Sequence, residues 1–404
     1  MLTTSSDPIA LDQRRVLQVY KRLPVVFESG RGCALYTRDG QRYLDLISGV
    51  GVASLGHAHP ALARAIADQG ATLLHTSNLF HHPLQSELAA RLADLSGLSR
   101  AFFCNSGAEA VEACLKFARR YWHAQGQAER TAFVALDHSF HGRTMGAVSV
   151  TWDPHYREQF GPLVPGVTFV PADDANAVRA AITKSTAAVI VEPIQGEGGV
   201  RPLSRVTADA ITDACRATGT LLIADEVQCG LGRTGRPFYS PALGLQPDLM
   251  AIGKALGGGV PIGAALFSEK IASAAKRGDH GSTYGGILLA CRAALVFLHE
   301  LIDRGLVDHV ASVGSHLEAG LRQMATRLGG ITDVRGAGLM WGIELDRPAA
   351  SVVQAAFDRH LLINRTSDTV VRLLPPYVIT EQEIDEALPL LEAAIATALE
   401  APRT

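Results

Sequence analysis

Short, continuously apolar segments alternate with helical stretches through the middle of this chain, and this alternation constrains the fold most. Helical periodicity marks the stretches between them, such as 107–126 and 205–219. The apolar segments are 101-AFFCN-105, 131-TAFVAL-136, 187-AAVIVEP-193, 220-TLLIADE-226, 248-DLMAIG-253 and 261-PIGAALF-267. Strands that are apolar on both faces and separated by helices are typical of a mostly parallel sheet covered by helices. We therefore predict an α/β fold.

The two ends of the chain have a different pattern. Residues 31–49 alternate like a hairpin that turns at Asp39-Gly40. A long amphipathic helix (307–330), a strand (339–345) and a closing helix from Glu381 follow the α/β region. Helices and strands in separate runs indicate a small α+β domain built from both chain ends. The predicted boundaries are 1–50 for the N-terminal segment that joins the small domain, 51–300 for the large domain and 301–404 for the rest of the small domain.

Composition narrows the possible classes of function. Lys and Arg total 37 and Asp and Glu total 40, so the net charge is −3 and no basic surface for nucleic acid or membrane is indicated. No apolar run approaches the about 18 residues of a membrane span, and the charged N-terminus lacks a secretory pattern. We therefore expect a cytoplasmic protein. The six cysteines have no paired spacing and the 14 histidines have no partners at metal-ligand spacing, so we assign no disulfide and no metal.

The segment 220-TLLIADEVQCGLGRTG-235 contains features that fit two different cofactors. Its glycines match the G-x-G-x-x-G spacing of a dinucleotide-binding loop. Such a loop directly follows a strand and opens a helix, whereas here four residues separate Asp225 from the first glycine, and 236-RPFYSPALG-244 has no helical period. A nicotinamide-dependent oxidoreductase stays an alternative from another class, and a non-catalytic binding protein is a third.

Asp225 and Lys254 favour pyridoxal phosphate instead. Lys254 ends the apolar strand 248-DLMAIGK-254 and precedes a run of three glycines. Two neighbouring strands of a sheet would place the carboxylate and the amine at one edge. A plain buried ion pair is the alternative, but two desolvated ions gain little over apolar packing. Pyridoxal phosphate gives each a task, because its aldehyde needs an amine and its ring nitrogen needs a carboxylate to stay protonated.

Two further segments fit this cofactor. In 105-NSGAEAVEACLKFARR-120, Ser106 and Glu109 match a capping box, and small residues would let a phosphate reach the free amides of the first helical turn. The alternative is an ordinary capped helix. In 138-HSFHGRTMG-146, Phe140 could stack on a pyridine ring and Arg143 could bind a carboxylate. As isolated residues they would be a core aromatic and a surface ion pair.

Eight segments together form a wider pattern from about residue 20 to residue 376. They are 56-GHAHP-60, 105-NSGAEA-110, 138-HSFHGRT-144, 192-EPIQGEGG-199, 225-DEVQCGLGRTG-235, 254-KALGGGVPIGA-264, 280-HGSTYGG-286 and 372-RLLPP-376. In this order they resemble the class III, fold-type I aminotransferases, with the acetylornithine subgroup the most similar. The resemblance implies pyridoxal 5'-phosphate as cofactor, a large domain with a seven-stranded type of sheet, and a homodimer whose active sites lie at the interface.

The resemblance also implies roles for the cofactor-binding residues. Lys254 would bond the cofactor and later move the proton of the substrate carbon. Asp225 would hold the ring nitrogen, Gln228 the ring oxygen, and Phe140 would stack on the ring. Further cofactor contacts implied by the matching segments are Gly107, Ala108, Glu226, Val227 and Thr283, the last reaching the phosphate bound by the other subunit.

Substrate binding is implied for four more positions. Arg143 would take the distal carboxylate of either substrate, and Arg372 would take the α-carboxylate of glutamate. Glu197 would neutralise Arg372 when that charge is not wanted, and Ser282 would lie near the substrate. From the residues alone, Glu197 and Arg372 would be a structural salt bridge and lie far apart in sequence.

The expected reaction converts N2-acetyl-L-ornithine and 2-oxoglutarate to N-acetyl-L-glutamate 5-semialdehyde and L-glutamate, as in arginine biosynthesis. Enzymes for succinylornithine, ornithine, 4-aminobutyrate and succinyl-diaminopimelate share most of these residues and stay alternatives. Two departures from the pattern loosen the assignment within the subgroup: Val111 replaces a frequent Asn, and 287-IL-288 replaces a common Asn-Pro.

Overall fold

The computed structural model describes residues 7–400, which form three sheets of four or more strands and their surrounding helices. The strands are β1 Phe27–Arg31, β2 Ala34–Thr37, β3 Arg42–Asp45, β4 Arg100–Cys104, β5 Ala132–Leu136, β6 Val167–Val170, β7 Thr186–Val191, β8 Ile194–Gln195, β9 Arg201–Pro202, β10 Leu221–Asp225, β11 Leu249–Ile252, β12 Gly263–Phe267, β13 Ile331–Ala337, β14 Met340–Leu345, β15 Leu361–Leu362, β16 Asn364–Arg365 and β17 Val370–Leu373. The α-helices are α1 Pro8–Arg15, α2 Ser48–Gly51, α3 Pro60–Thr72, α4 Pro83–Ser96, α5 Gly107–Ala124, α6 Met145–Ser149, α7 Pro154–Arg157, α8 Ala175–Ala181, α9 Arg205–Thr218, α10 Glu269–Ala272, α11 Leu288–Leu298, α12 Leu306–Arg327, α13 Ala350–Phe357 and α14 Glu381–Glu400. Shorter helical turns are Glu158–Phe160, Ser240–Leu243, Lys254–Gly257 and the π-helical His299–Asp303.

The largest sheet has seven strands in the order β4-β12-β11-β10-β7-β5-β6. β10 pairs in parallel with both β11 and β7, and β5 pairs in parallel with β7 and β6. β12 runs antiparallel to both of its neighbours. The connection from β11 to β12 is too short for the crossover that a parallel neighbour requires. The prediction of a mostly parallel sheet is confirmed, with this one strand reversed.

Helices cover both faces of this sheet. On one face, α5 buries Val111 and Leu115, and on the other, α9 buries Ile211 and Cys215. Val111, one of the two departures, is fully buried, so its apolar side chain fits a packing position. The other departure, 287-IL-288, supplies the first residues of α11, whose Leu288 is buried. Helical coverage explains why the strands are apolar on both sides.

The two chain ends meet in a separate four-stranded sheet, ordered β1-β2-β3-β15. β2 and β3 form the predicted hairpin, and Gly40 takes a φ of 84° at its turn, a conformation that favours glycine. β3 pairs in parallel with β15 from the C-terminal part of the chain. A second four-stranded sheet, β13-β14-β17-β16, comes from the C-terminal part alone. The exact domain boundaries stay a prediction.

Three predicted C-terminal elements are present as α12, β14 and α14. They pack in one continuous core with the α3, α4 and α11 helices of the large sheet. Within residues 7–400, none of the helices has the length and apolar character needed to cross a membrane.

Candidate active site

The predicted acid and amine meet at one edge of the seven-stranded sheet. β10 and β11 are parallel neighbours, and Asp225 at the end of β10 is in register with Ala251 on β11. Lys254 follows three residues later, so both side chains emerge at the carboxyl edge of the sheet. Both line one cavity of about 290 Å³. Ligands of open α/β sheets bind at this edge.

Asp225 is buried and held by two donors. Its Oδ1 accepts a hydrogen bond from the amide of Val227 at 3.1 Å, and its Oδ2 lies 2.7 Å from Nδ1 of His141. The His141 side chain is fully buried, and its Nε2 has no hydrogen-bond partner among the described residues. Because a carboxylate only accepts hydrogen bonds, Nδ1 of His141 is the donor in this contact. The Asp225 carboxylate also lines the cavity, so it is available to a cation there.

Lys254 has a strained backbone, and the pKa of its amine is lowered. Its φ is 41°, in the left-handed region that non-glycine residues rarely adopt. Strain of this kind is retained where surrounding structure enforces a functional geometry. Burial lowers the pKa of Lys254 below its ordinary 10.5, with Glu197 opposing the shift and Arg372 adding to it. A larger share of neutral amine makes Lys254 a better nucleophile toward an aldehyde.

The N-terminus of α5 forms a third wall of the cavity. Oγ of Ser106 accepts a hydrogen bond from the amide of Glu109 at 3.2 Å, and the Glu109 carboxylate accepts from the amide of Asn105 at 2.8 Å. The capping side chain is as predicted, but Glu109 reaches one residue further back than in a standard capping box. Gly107 and Ala108, the first two helical residues, have no acceptor within the helix, so their amides are available to an anion.

A glycine brings the amine to this helix terminus. A Cβ atom built on Gly253 would lie 3.0 Å from the backbone nitrogen and Cα of Gly107. Only glycine lets the chain after β11 approach α5 this closely without displacing it. Lys254 and the free amides of α5 therefore border the same space.

Phe140 and Arg143 also line the cavity. The guanidinium carbon of Arg143 lies 3.7 Å from the ring centroid of Tyr156 and 5.6 Å from that of Phe140. Arg143 is exposed, and within residues 7–400 no carboxylate pairs with it. A groove of about 630 Å³ adjoins the cavity and is lined by Phe140, Tyr156 and Glu197 among others. Arg143 is thus a cation available to an incoming anion.

Glu197 and Arg372 are in contact and form what we call the gate pair. Nη1 of Arg372 lies 2.6 Å from Oε1 of Glu197, and Arg372 is 2% exposed. Gln228 joins them, since its Nε2 donates to Glu197 at 3.2 Å and its Oε1 accepts from Arg372 at 3.1 Å. Burial raises the pKa of Glu197, but Arg372 and Lys254 outweigh burial, so the pKa lies below its ordinary 4.5. Glu197 is therefore ionised at neutral pH.

The donors and acceptors around the cavity fit pyridoxal phosphate. Lys254 offers an amine for the aldehyde, Asp225 a buried carboxylate for the ring nitrogen, Phe140 an aromatic face, and α5 free amides for the phosphate. The lining residues are Gly107, Ala108, Phe140, His141, Gly142, Arg143, Glu192, Asp225, Val227, Gln228 and Lys254.

Comparison with known families agrees with this site. The sequence model described as Aminotransferase class-III matches residues 17–395. The chain is a class-III aminotransferase. It is accordingly a transaminase that depends on pyridoxal phosphate.

Curated relatives of this aminotransferase match it over nearly their full length. An acetylornithine aminotransferase of Methanocaldococcus jannaschii is 44% identical over 384 residues, which cover 95% of this chain and 96% of the relative. Acetylornithine aminotransferase 1 of Bordetella bronchiseptica is 44% identical over 375 residues, covering 92% and 95%.

Solved structures share the fold of this aminotransferase. The ornithine aminotransferase of Toxoplasma gondii superposes with a TM-score of 0.93 at 32% identity, covering 97% of this chain and 95% of that one. The acetylornithine aminotransferase of Elizabethkingia anophelis superposes with a TM-score of 0.85 at 29% identity, covering 96% and 98%.

Glu226 does not face the cavity of this aminotransferase, contrary to the cofactor contact expected for it. Its carboxylate is fully buried and accepts hydrogen bonds from the amides of Tyr239 and Ser240 at 2.9 Å and 2.6 Å. Successive residues of an extended segment point to opposite sides, so Asp225 and Glu226 cannot both face the cofactor. Glu226 instead anchors the segment around residue 240.

Ser282 and Thr283 also lie outside the cavity within this chain. Ser282 lines a different cavity, where its Oγ accepts from Asn105 Nδ2 at 3.3 Å, next to the start of α5. Thr283 is exposed. The other expected residues, Gly107, Ala108, Phe140, Val227 and Gln228 with Asp225 and Lys254, line the cavity directly.

The glycine turn at 230–235 has a packing role in this aminotransferase. It presents Arg233, which is buried and donates hydrogen bonds to the carbonyl oxygens of Leu339 and Pro375 at 3.1 Å and 2.5 Å. The same guanidinium lies 4.5 Å from the ring centroid of Tyr377. The turn therefore joins the large sheet to C-terminal segments, and it opens no helix that could hold a dinucleotide.

Two residues of the site lie within quoted motifs but have no predicted role. His141 and Glu192 both line the cavity, and both contact residues expected to hold the cofactor. The only local signal for His141 is a histidine between an aromatic and a glycine. Glu192 follows a buried strand directly, and a charged residue at that position is an equally ordinary strand end.

Proposed function

We propose that this aminotransferase moves an amino group between N2-acetyl-L-ornithine and 2-oxoglutarate, giving N-acetyl-L-glutamate 5-semialdehyde and L-glutamate, a reaction of arginine biosynthesis. The names of the curated relatives support this substrate. The observation that carries the proposal is the gate pair near Lys254, together with Arg143, which lines the cavity and has no carboxylate partner in the described chain. A cytoplasmic location fits such a reaction.

In this proposal, residues of the cavity hold pyridoxal phosphate at both ends. Lys254 would hold its aldehyde carbon, and Asp225 would keep its ring nitrogen protonated. The amides of Gly107 and Ala108 bind its phosphate, where the helix dipole favours an anion. Phe140 stacks on its ring. Val227 packs beside Gly107, since a Cβ on Gly107 would lie 2.6 Å from Val227 Cγ1.

When bound, pyridoxal phosphate supplies an electron sink for the bond between hydrogen and the substrate carbon that bears the amine. Once the substrate amine has replaced Lys254 on the aldehyde carbon, the freed Lys254 Nζ would accept the proton of the substrate carbon, because its lowered pKa keeps a larger share of the amine neutral. His141 keeps Asp225 oriented through the 2.7 Å hydrogen bond to Oδ2. Gln228 is positioned either to bind the ring oxygen or to stay in the network of the gate pair.

The gate pair resolves a conflict between two substrates. Glutamate carries a carboxylate beside its reacting amine, whereas acetylornithine has none there. Without Glu197, Arg372 would bind the α-carboxylate of glutamate favourably, but it would remain a buried, unpaired cation when acetylornithine binds. Glu197 neutralises Arg372 for the second substrate and moves aside for the first. Arg143 binds the distal carboxylate that both substrates possess.

A homodimer is part of the proposal. Leu79, Phe80 and Tyr284 are 86%, 66% and 62% exposed, and large apolar side chains exposed together are typical of an interaction surface. This surface lies beside Ser282 and Thr283, because Asn78 Nδ2 donates to the Ser282 carbonyl oxygen at 3.1 Å. A second copy of the chain on this surface would bring Thr283 to the phosphate of the other subunit and Ser282 near the substrate.

The experiment that tests the substrate compares amino donors at equal enzyme and cofactor concentration. Candidates are acetylated, succinylated and free ornithine, 4-aminobutyrate and succinyl-diaminopimelate, each with 2-oxoglutarate. We expect the highest kcat/KM with N-acetylornithine. A higher value with any other donor would reject the proposed substrate. Free ornithine tests the acetyl group on the α-amine, and 4-aminobutyrate tests the need for that acylated amine beside the carboxylate.

A further inference from the structure

Glu192 is a buried carboxylate that bridges two segments of the active site. It follows β7 directly, between the neighbouring strands β5 and β10. One of its oxygens accepts a hydrogen bond from the amide of Phe140 at 2.9 Å, and the other accepts from the amide of Gly196 at 3.0 Å. One side chain therefore holds two turns that are far apart in sequence.

The two turns carry different parts of the site. Phe140 directly precedes His141, whose ring binds Asp225. Gly196 directly precedes Glu197, the acid of the gate pair. The Glu192 side chain therefore spans the distance between the turn that contributes to the cofactor site and the turn that carries the gate pair's acid.

A carboxyl group is suited to this position because each of its two oxygens accepts from a different amide. A glutamine offers only one acceptor oxygen, and its amide nitrogen would face an N–H donor. Burying a carboxylate is costly unless hydrogen bonds compensate, and Glu192 is 5% exposed. An apolar residue would fill the same space but would leave the amides of Phe140 and Gly196 without acceptors, so the side chain at this position does more than pack.

We propose that Glu192 is a positioning residue that fixes the distance between Phe140 and the gate pair, and through that distance sets the preference between the two amino donors. When glutamate enters, Glu197 must leave Arg372. The hydrogen bond from Gly196 to Glu192 confines this movement to the Glu197 side chain, so the ring-stacking Phe140 does not shift with it. The inference rests on the proposed function, because it requires donors that differ in their need for Arg372.

The test is Glu192→Gln in the full-length chain, with three measurements. They are the Kd of the cofactor-free chain for pyridoxal phosphate, kcat/KM for glutamate and for N-acetylornithine, and amide hydrogen exchange of peptides covering 138–143 and 194–199. We expect faster exchange in both peptides. We also expect weaker cofactor binding and a changed ratio of the two kcat/KM values, each by roughly tenfold, the factor associated with one hydrogen bond to a charged group.

Glu226→Gln is a matched control. Glu226 also follows a strand of the same sheet, is fully buried and accepts from two backbone amides, yet it does not line the cavity. We expect this variant to unfold more easily and to exchange faster around residues 237–242, with an unchanged substrate ratio and an unchanged Kd for pyridoxal phosphate. If Glu192→Gln fails to fold, Glu192→Asp keeps both oxygens on a shorter side chain and is expected to change the same ratio.

The outcomes separate this proposal from the proposed function. An unchanged substrate ratio with an unchanged cofactor Kd in a folded Glu192 variant would overturn the positioning role and leave Glu192 as a packing residue. A wild-type chain that is inactive on N-acetylornithine would instead reject the proposed substrate. In that case the cofactor Kd and the exchange of the two peptides still decide whether Glu192 couples the two turns.

Discussion

Arg372 and Glu197 form an ion pair of 2.6 Å, and the arginine is almost completely buried. Both contact Gln228, which lines the cavity together with Lys254. A buried arginine needs a counter-charge at all times, so any substrate carboxylate that reaches it must replace Glu197. Glu197 is 28% exposed at its side chain, which leaves it the freedom to move that Arg372 lacks. Arg372 is therefore a fixed cation, and a substrate carboxylate can replace Glu197 as its counter-charge.

Arg372→Ala is expected to discriminate between the two amino donors. Loss of a buried charged hydrogen bond costs about 3 kcal/mol, so kcat/KM for glutamate should fall about a hundredfold. N-acetylornithine does not place a carboxylate there, and its kcat/KM should fall less than about tenfold. Steady-state kinetics with each donor provides the measurement, and Glu197→Gln, which leaves Arg372 uncompensated, should shift the preference toward glutamate. Equal losses for both donors in Arg372→Ala would contradict the gate.

Arg143→Ala is expected to weaken the binding of both amino donors. Its guanidinium rests on Tyr156 and has no carboxylate partner in the described chain, so it is free to bind the distal carboxylate that both share. We expect KM to rise at least about tenfold for each, as for the loss of a charge-assisted hydrogen bond. Arg157→Ala is a suitable control, because Arg157 lies nearby but donates to the carbonyl oxygen of Trp152. A loss confined to one donor would show that Arg143 has a different role.

Lys254→Ala should abolish turnover and the covalent link to the cofactor. Wild-type protein reduced with borohydride should carry a pyridoxyl group on the peptide that contains Lys254, detectable by mass spectrometry, and should absorb visible light before reduction. The variant should show neither property. Lys270→Ala is a matched control, since Lys270 pairs with Asp248 at the surface and does not line the cavity. A colourless wild-type protein that retains a nicotinamide cofactor would contradict the assignment.

Local sequence patterns predict the elements that hold this site. β10, β11 and α5 are long or strongly apolar and have clear ends, so their periodicity and caps are visible without tertiary information. β6 is a half-buried edge strand, and β15 and β16 have two residues each, so their apolar patterns are too weak to identify them. These strands form because partners elsewhere in the chain offer a free edge.

The contacts inside the site depend more on tertiary structure. Asp225 and Lys254 can be paired from the order of neighbouring strands. Glu197 lies in the turn between β8 and β9 and Arg372 lies on β17, and only the family resemblance suggests that they meet. The motif does not tell which of two adjacent acids faces the cavity. The Glu226 carboxylate lies against the amides of Tyr239 and Ser240, so its expected cofactor contact stays a prediction. The backbone contacts of Glu192 have no signature in the sequence, since a carboxylate that accepts from distant amides leaves no local pattern.

Arg233→Met should destabilise the folded chain without touching the cavity. Arg233 is 1% exposed, and its loss leaves the carbonyl oxygens of Leu339 and Pro375 without donors in a buried environment. We expect the free energy of unfolding to fall by about 3 kcal/mol. The exposed Arg216→Met, which removes only a surface pair with Asp213, should change it by less than about 0.5 kcal/mol. Urea unfolding of both variants makes the comparison, and a near-neutral Arg233→Met would contradict the packing role of the glycine turn.

The stability of the cofactor-free chain should depend on the protonation of Glu192. Burial raises the pKa of Glu192 from its ordinary 4.5 to about 7, with His141 opposing and Asp225 adding to the shift. The folded chain then binds the proton more tightly than the unfolded chain, so this stability is fully present below pH 4.5 and is lost as the pH rises to about 7. Glu192→Gln has no proton to lose. Its free energy of unfolding, minus that of wild type, should therefore increase as the pH rises between these values.

Glu197→Gln should change the free energy of unfolding with pH in the opposite direction in the same assay. Arg372 and Lys254 lower the pKa of Glu197 below 4.5, so its contribution to stability is present above that pH and is lost as the pH falls further. The free energy of unfolding of this variant, minus that of wild type, should decrease as the pH rises toward 4.5 and then stay constant up to about 7. Urea unfolding at closely spaced pH values measures both differences. A flat profile for Glu192→Gln across its window would mean that the carboxylate stays ionised in the folded chain, held so by the amides of Phe140 and Gly196.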